Sequence, residues 1–189
     1  GSDTVSLGIA LTTTGANRGI KTTNNWQEAE SNTVTVTGTG SITTGTGQFA
    51  WGIYNDGAFN TTTVSGSITT TGEDSLGIYN LGSNNVTTVS GSIKTGTGNN
   101  AHGISNDGAF NTTTVSGSIT TTGDYGRGIW NRGNKNATTV SGSITTTGNQ
   151  SNGIWNFGDG NVTTVSDTGS IKTAGSIARG IINSGKNNT

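Results

Sequence analysis

The phrase Gly-Ile-x-Asn returns six times along this chain, as Gly52-Ile53-Tyr54-Asn55, Gly77-Ile78-Tyr79-Asn80, Gly103-Ile104-Ser105-Asn106, Gly128-Ile129-Trp130-Asn131, Gly153-Ile154-Trp155-Asn156 and Gly180-Ile181-Ile182-Asn183. The glycine-to-glycine steps are 25, 26, 25, 25 and 27 residues. A repeat of this length is one supersecondary unit, too small to bury its apolar residues alone, so each copy must stack on its neighbours. The chain is therefore expected to form a solenoid. A solenoid is a scaffold, and its activity lies in what decorates it.

A second anchor follows each glycine by twelve residues, at Val64, Val89, Val115, Val140 and Val165. Four residues later come Ile68, Ile93, Ile119 and Ile144. The intervals from Val36 to Ile42 and from Val165 to Ile171 are six residues, so two extra residues are expected to bulge there. Period-two alternation turns Thr62, Val64, Gly66 and Ile68 inward, and Thr61, Thr63, Ser65, Ser67 and Thr69 outward. No segment leaves room for a ten-residue helix. The expected fold is an all-β parallel β-helix of about 25 residues per coil. Each coil holds three short strands, the Gly-Ile-x-Asn, Thr-Thr-Val and Ser-Ile-Thr-Thr stretches. Corner glycines such as Gly57 and Gly72 are expected at positive φ.

Composition agrees with a thin core and much backbone pairing. The chain has 33 Gly and 39 Thr, no Pro, Cys or Met, and 27% hydrophobic residues. Disorder would go with a high net charge, and here the net charge is −1. That balance supplies no basic stripe for nucleic acid and no polybasic membrane patch. No run approaches the roughly 20 apolar residues of a membrane span.

Residues 1–35 read as a degenerate first coil or cap, in which Asn24 to Glu30 form a protruding loop, and residues 36–189 read as regular coils. Gly1-Ser2 is expected to be an appended scar, and the stop at Lys186-Asn187-Asn188-Thr189 falls inside a repeat. A fragment of a longer protein is thus expected, with any export signal or anchor outside it.

Two asparagine columns are the main structural candidates. Asn55, Asn80, Asn106, Asn131, Asn156 and Asn183 form one, and Asn60, Asn85, Asn111, Asn136, Asn161 and Asn188 the other. Amides stacked in register can donate to one coil and accept from the next, and Asn tolerates a left-handed corner.

Pattern and composition resemble the passenger domains of bacterial autotransporters, which carry degenerate G-S-I-x-T-x-G and G-I-x-N-x-G units. Gly66-Ser67-Ile68-Thr69-Thr70-Thr71-Gly72 followed by Gly77-Ile78-Tyr79-Asn80 carries the likeness, which extends over roughly residues 36–189. The resemblance implies a right-handed helix, secretion through an outer-membrane barrel, and display on a Gram-negative cell surface. Any membrane contact would run through a translocator domain that these residues do not contain.

Function is expected where the repeat varies. The residue after Gly-Ile should face out, so Tyr54, Tyr79, Trp130, Trp155 and Ile182, with Phe157 at a corner, are expected to form an exposed aromatic and apolar ribbon. Such a ribbon suits a partner surface or a sugar-stacking platform. The outward hydroxyls, Thr63, Thr88, Thr114, Thr139 and Thr164 beside Ser65, Ser90, Ser116, Ser141 and Ser166, suit self-association or, alternatively, ice binding. Asp56 and Asp107 share a column two coils, roughly 9.6 Å, apart, near the upper spacing of an inverting glycosidase pair, but Leu81 lies between them. The only histidine, His102, has no partner at a recognisable spacing and is expected on the surface. Gly158-Asp159-Gly160-Asn161 echoes a calcium-binding repeat that the other coils do not sustain.

No enzyme activity, cofactor or metal is expected. The expected role is a surface-displayed adhesive stalk, with itself or a host surface protein or glycan as partner. An ice-binding solenoid is the alternative, and a polysaccharide-processing β-helix a lesser one.

Overall fold

The structure is a computed structural model that describes residues 2–23 and 31–189. The loop expected at Asn24 to Glu30 lies outside the described residues. The chain is an all-β parallel solenoid of about seven turns with about 26 residues per coil. Three seven-stranded parallel sheets run its length. One coil shows the plan: Ile53–Asp56, Thr61–Val64 and Ser67–Thr70 lie on three different sheets. Each strand pairs with its equivalent one coil on, so that Thr61 aligns with Val86, Val64 with Val89, and Ile68 with Ile93. The first coil is paired in the same way, with Thr4–Leu7, Ala10–Thr12 and Ile20–Thr23 against Thr33–Val36, Ser41–Thr43 and Ile53–Asp56.

Alternation along these strands builds the core. Ile53, Val64 and Ile68 are fully buried, as are their counterparts Ile78 and Val89 and, in the next coil, Ile104, Val115 and Ile119. Each such side chain contributes about 1.5–3 kcal/mol on leaving water. Three per coil make a narrow interior, and most of the remaining inward positions are polar, although Val34 stands where the next coils carry Thr62 and Thr87. The two six-residue Val-to-Ile intervals close as turns, with Gly40 N–H donating to Thr37 O at 2.9 Å and Gly169 N–H to Ser166 O at 2.8 Å.

The first asparagine column is a continuous amide chain inside the coil. Each Nδ2 donates to the Oδ1 of the next asparagine at 2.7 to 2.9 Å, from Asn55 through Asn183. Its second proton goes to the inward threonine seven residues ahead, as from Asn106 to Thr113 at 3.1 Å. Both protons are used, so a fully buried amide carries no desolvation deficit on its donor side.

The second column works differently. Its Oδ1 accepts the backbone N–H of the asparagine one coil earlier, as Asn85 Oδ1 does from Asn60 at 2.7 Å. Its Nδ2 returns to a carbonyl three residues back, as from Asn85 to Gly82 at 2.8 Å. The left-handed corner expected at these asparagines falls one residue earlier, at Phe59 (φ 61°), Asn84 (59°), Phe110 (58°) and Lys135 (56°). The Asn side chain is thereby placed inward, spanning the corner rather than forming it.

Glycine is also required for a different reason than expected. Gly57 has φ 146°, but Gly72 is not among the positive-φ glycines. A Cβ on Gly72 would lie 2.0 Å from the carbonyl oxygen of Gly47 in the preceding coil. Close stacking of coils, not turn geometry, excludes side chains there.

Candidate binding face

Inward Ile53 and Asn55 leave Tyr54 pointing away from the core, and the same register carries Tyr79, Ser105, Trp130, Trp155 and Ile182 up one column. Tyr54 and Tyr79 stack at 5.4 Å, and Trp130 and Trp155 at 6.1 Å. Phe157 meets Trp155 edge-on at 6.0 Å and is 56% exposed. The column is broken at Ser105, which leaves a notch of about 220 Å³ between Trp51 and Tyr79 on one side and Trp130 on the other.

The expected ribbon is not a bare apolar surface. Tyr54 is only 9% exposed, because Trp51 packs edge-on at 4.9 Å and the Arg18 guanidinium lies 5.0 Å from its ring centre. Arg127 lies over Trp130 at 4.1 Å and over Trp155 at 4.4 Å, and Arg132 reaches Trp130 at 4.7 Å. Guanidinium groups and rings therefore alternate along the face, a contact that strengthens as water is excluded. The guanidinium groups of Arg127 and Arg132 cover ring surface that alternation alone would leave open.

Asp107 knits the notch together. Its carboxylate accepts from the Tyr79 hydroxyl at 2.8 Å, from Ser105 Oγ at 3.0 Å and from Arg132 Nη1 at 2.8 Å. Burial, and then the Asp107 charge, hold the Tyr79 hydroxyl well above the usual phenol range. Asp56, the other member of the spaced carboxylate pair, faces Lys21 at 3.3 Å. Both carboxylates thus have cationic partners across one coil.

His102 is buried, not on the surface, with 4% exposure. Its partner is Arg127, one coil on: Nδ1 accepts the Arg127 backbone N–H at 3.1 Å, and Nε2 lies 3.2 Å from Nη1. Burial first, then the charges of Arg127 and Arg132, push its pKa well below the usual value. The imidazole is therefore neutral.

Trp51, Arg127 and Arg132 were not foreseen as members of this face. A signal existed: Trp51, Leu76, His102, Arg127, Asn152 and Arg179 each directly precede the repeat glycine. That register makes a second column beside the first, in which Leu76, His102 and Asn152 are buried and Arg179 is exposed. The spacing that gives His102 a partner is the coil length itself.

The threonine column lies on another sheet, with Thr63, Thr88, Thr114, Thr139 and Thr164 aligned strand to strand. Thr61, Val86, Thr112, Ala137 and Val162 flank it in register, and these strands carry no charged residue. Ser65, Ser90, Ser116, Ser141 and Ser166 follow the strands at the corner, where Ser90 Oγ donates to Ser65 Oγ at 3.3 Å. Asp159, in the calcium-like stretch, accepts the Lys186 backbone N–H at 2.7 Å, a turn contact. Among the described residues, no three His, Cys, Asp or Glu side chains gather to hold a metal ion.

Repeat, register and face together define a parallel β-solenoid with an aromatic–guanidinium stripe along one sheet. No family model, no curated protein and no solved structure matches the chain.

Proposed function

We propose that the chain is a non-catalytic, stiff stalk segment of a surface-displayed, autotransporter-like protein, adhesive through the outer face of the Gly-Ile sheet. The observation that carries this reading is the stripe that runs from Arg18 across Trp51, Tyr79 and Trp130 to Trp155. Aromatic and arginine side chains concentrate binding energy at protein surfaces. Repetition along a rod adds multivalency, so weak contacts per coil sum to firm attachment. The rigid amide column beneath keeps their spacing fixed, which lowers the entropy lost on binding.

The test is retention of the intact chain on surfaces coated with host matrix proteins or glycans. Trp130→Ala and Trp155→Ala should each weaken retention severalfold while circular dichroism stays unchanged. Undiminished retention in both variants would sink the stripe as the adhesive surface.

A second reading rests on the threonine column, whose aligned hydroxyls and methyls form an uncharged lattice. Such a face suits self-association by zipping two copies together. Sedimentation at rising concentration should show association that Thr88→Lys and Thr114→Lys abolish. A thermal hysteresis signal lost in the same variants would instead favour ice binding.

A further inference from the structure

A cleft of about 340 Å³ opens beside the stripe, across the fifth to seventh coils. Its volume falls within the range of small-molecule sites, about 300–1,000 Å³. Two cations, Arg127 and Arg179, line it, and no carboxylate does. Trp155 and Ile182 supply its apolar wall, Gln150 and Ser184 its polar one. These groups are held in place: Trp155 Nε1 donates to Ser184 Oγ at 2.8 Å, and the Arg179 backbone N–H donates to Asn152 Oδ1 at 3.1 Å. Tyr125 and Ile177 stand at the rim, 43% and 66% exposed on left-handed corners with φ 58° and 60°.

Arg127 is the unusual member. It is partly buried against two indole rings, and among the described residues it makes no ion pair. Its Nε is buried with no hydrogen-bond partner. His102 cannot relieve it: once Nδ1 accepts the Arg127 backbone N–H, the neutral ring carries its proton on Nε2, facing the guanidinium as a second donor. Desolvation, with the Arg132 charge, pushes the guanidinium down to about 10. A buried charge is ordinarily matched by an opposite one. Among the described residues, no carboxylate forms an ion pair with Arg127.

We infer that this cleft binds an acidic sugar residue, with its carboxylate held by Arg127 and Arg179 and its ring lying against Trp155 and Ile182. The inference rests on the adhesive reading of the stripe and names its ligand class. A guanidinium fork matches a planar carboxylate with two parallel hydrogen bonds. A sugar ring is amphipathic, so its C–H face suits the indole while its hydroxyls suit Gln150 and Ser184. A neutral sugar would leave Arg127 unmatched. A nucleic acid would require a longer row of cations than these two.

The test titrates the intact chain with trigalacturonate and 3′-sialyllactose as carboxylated probes, a sulfated heparin disaccharide, and neutral maltotriose. At least one carboxylated probe should bind and weaken in salt of about 0.5 M, where charges are screened within a few ångströms. Arg127→Gln and Arg179→Gln should each cost about tenfold or more in affinity, the usual effect of losing a charge-assisted hydrogen bond. Arg179 is exposed, so its variant keeps the test valid should Arg127→Gln unfold. Binding of neither carboxylated probe, equal binding of maltotriose, binding of the sulfated probe alone, or full affinity in Arg179→Gln would overturn the assignment. Retention on coated surfaces separates the two proposals: a chain that still adheres but ignores both carboxylated probes loses only the cleft, and one that does neither loses both.

Discussion

At the scale of single residues, buried amides tie each coil to the next alongside the aliphatic core. Asn106 donates to Asn131 and Thr113 and accepts from Asn80, all out of water. Asn106→Leu would keep the volume but strand one amide proton of Asn80 and the acceptor of Asn131. The expected loss is about 2–5 kcal/mol, summing one or two unsatisfied buried groups at about 1–3 kcal/mol each. Urea denaturation measures it, and a loss below that of an exposed control such as Thr139→Leu would show the column to be dispensable. His102 gives a second residue-scale outcome. Its folded-state pKa is depressed, so below the unfolded value of about 6.5 the unfolded chain takes up a proton that the folded chain refuses. Stability should be flat above that pH and fall beneath it, by up to about 1.4 kcal/mol per unit. With no other histidine in the chain, His102→Gln should flatten the slope between pH 6.5 and 5. A denaturation midpoint that does not move over this interval would contradict a neutral buried imidazole.

At the scale of the element, a strand here is defined by the coil above and below it more than by its own residues. Thr61–Val64 and Val86–Val89 differ in composition at the outer position yet hold the same register, because Val64 and Val89 share the core. A one-residue slip would expose both valines and bury outward threonines. Glycine sets how closely these elements stack. A Cβ on Gly103 would lie 2.4 Å from Ile119 Cγ2 and 2.5 Å from the Gly128 carbonyl oxygen, whereas one on Gly38 would meet nothing within 4 Å. Gly103→Ala should cost about 1–3 kcal/mol or more through forced separation of coils, and Gly38→Ala should be nearly neutral. Thermal melts of the two variants check this, and similar midpoints for both would refute the stacking argument.

At the scale of the molecule, contacts reach only the adjacent coil, so stability should accumulate coil by coil. Deleting residues 78–103 joins Gly77 to Ile104 and leaves every remaining strand with a partner in register. The shortened chain should fold with the same circular dichroism signature, a lower melting temperature, and a length reduced by about 4.8 Å in solution scattering. Collapse of the fold would show that some long-range element, not nearest-neighbour stacking, holds the rod. The same geometry explains why the binding face is long and shallow. Each coil contributes one or two outer side chains, and a site arises only where consecutive coils differ, as at Ser105 between Tyr79 and Trp130.

The amino-acid sequence by itself determined the coil. Repeated Gly, Ile, Val and Asn at fixed spacing admit one periodic stacking, since each must meet its own copy about 4.8 Å away. Strand positions, inward residues and both asparagine columns follow from that register. Only the tertiary structure decided how the columns are wired and what the face is. Whether Asn60 forms a corner or spans it depends on φ at Phe59, which the repeat does not encode. Tyr54 and Trp130 point outward by alternation, but alternation says nothing of neighbours from the adjoining column. Arg18 lies over Tyr54 and Arg127 over Trp155 because each ring belongs to the next coil, a proximity that exists in space and not along the chain. The unmatched charge of Arg127 is likewise a property of packing. A count of net charge shows near balance, while packing leaves Arg127 without an ion-pair partner among the described residues.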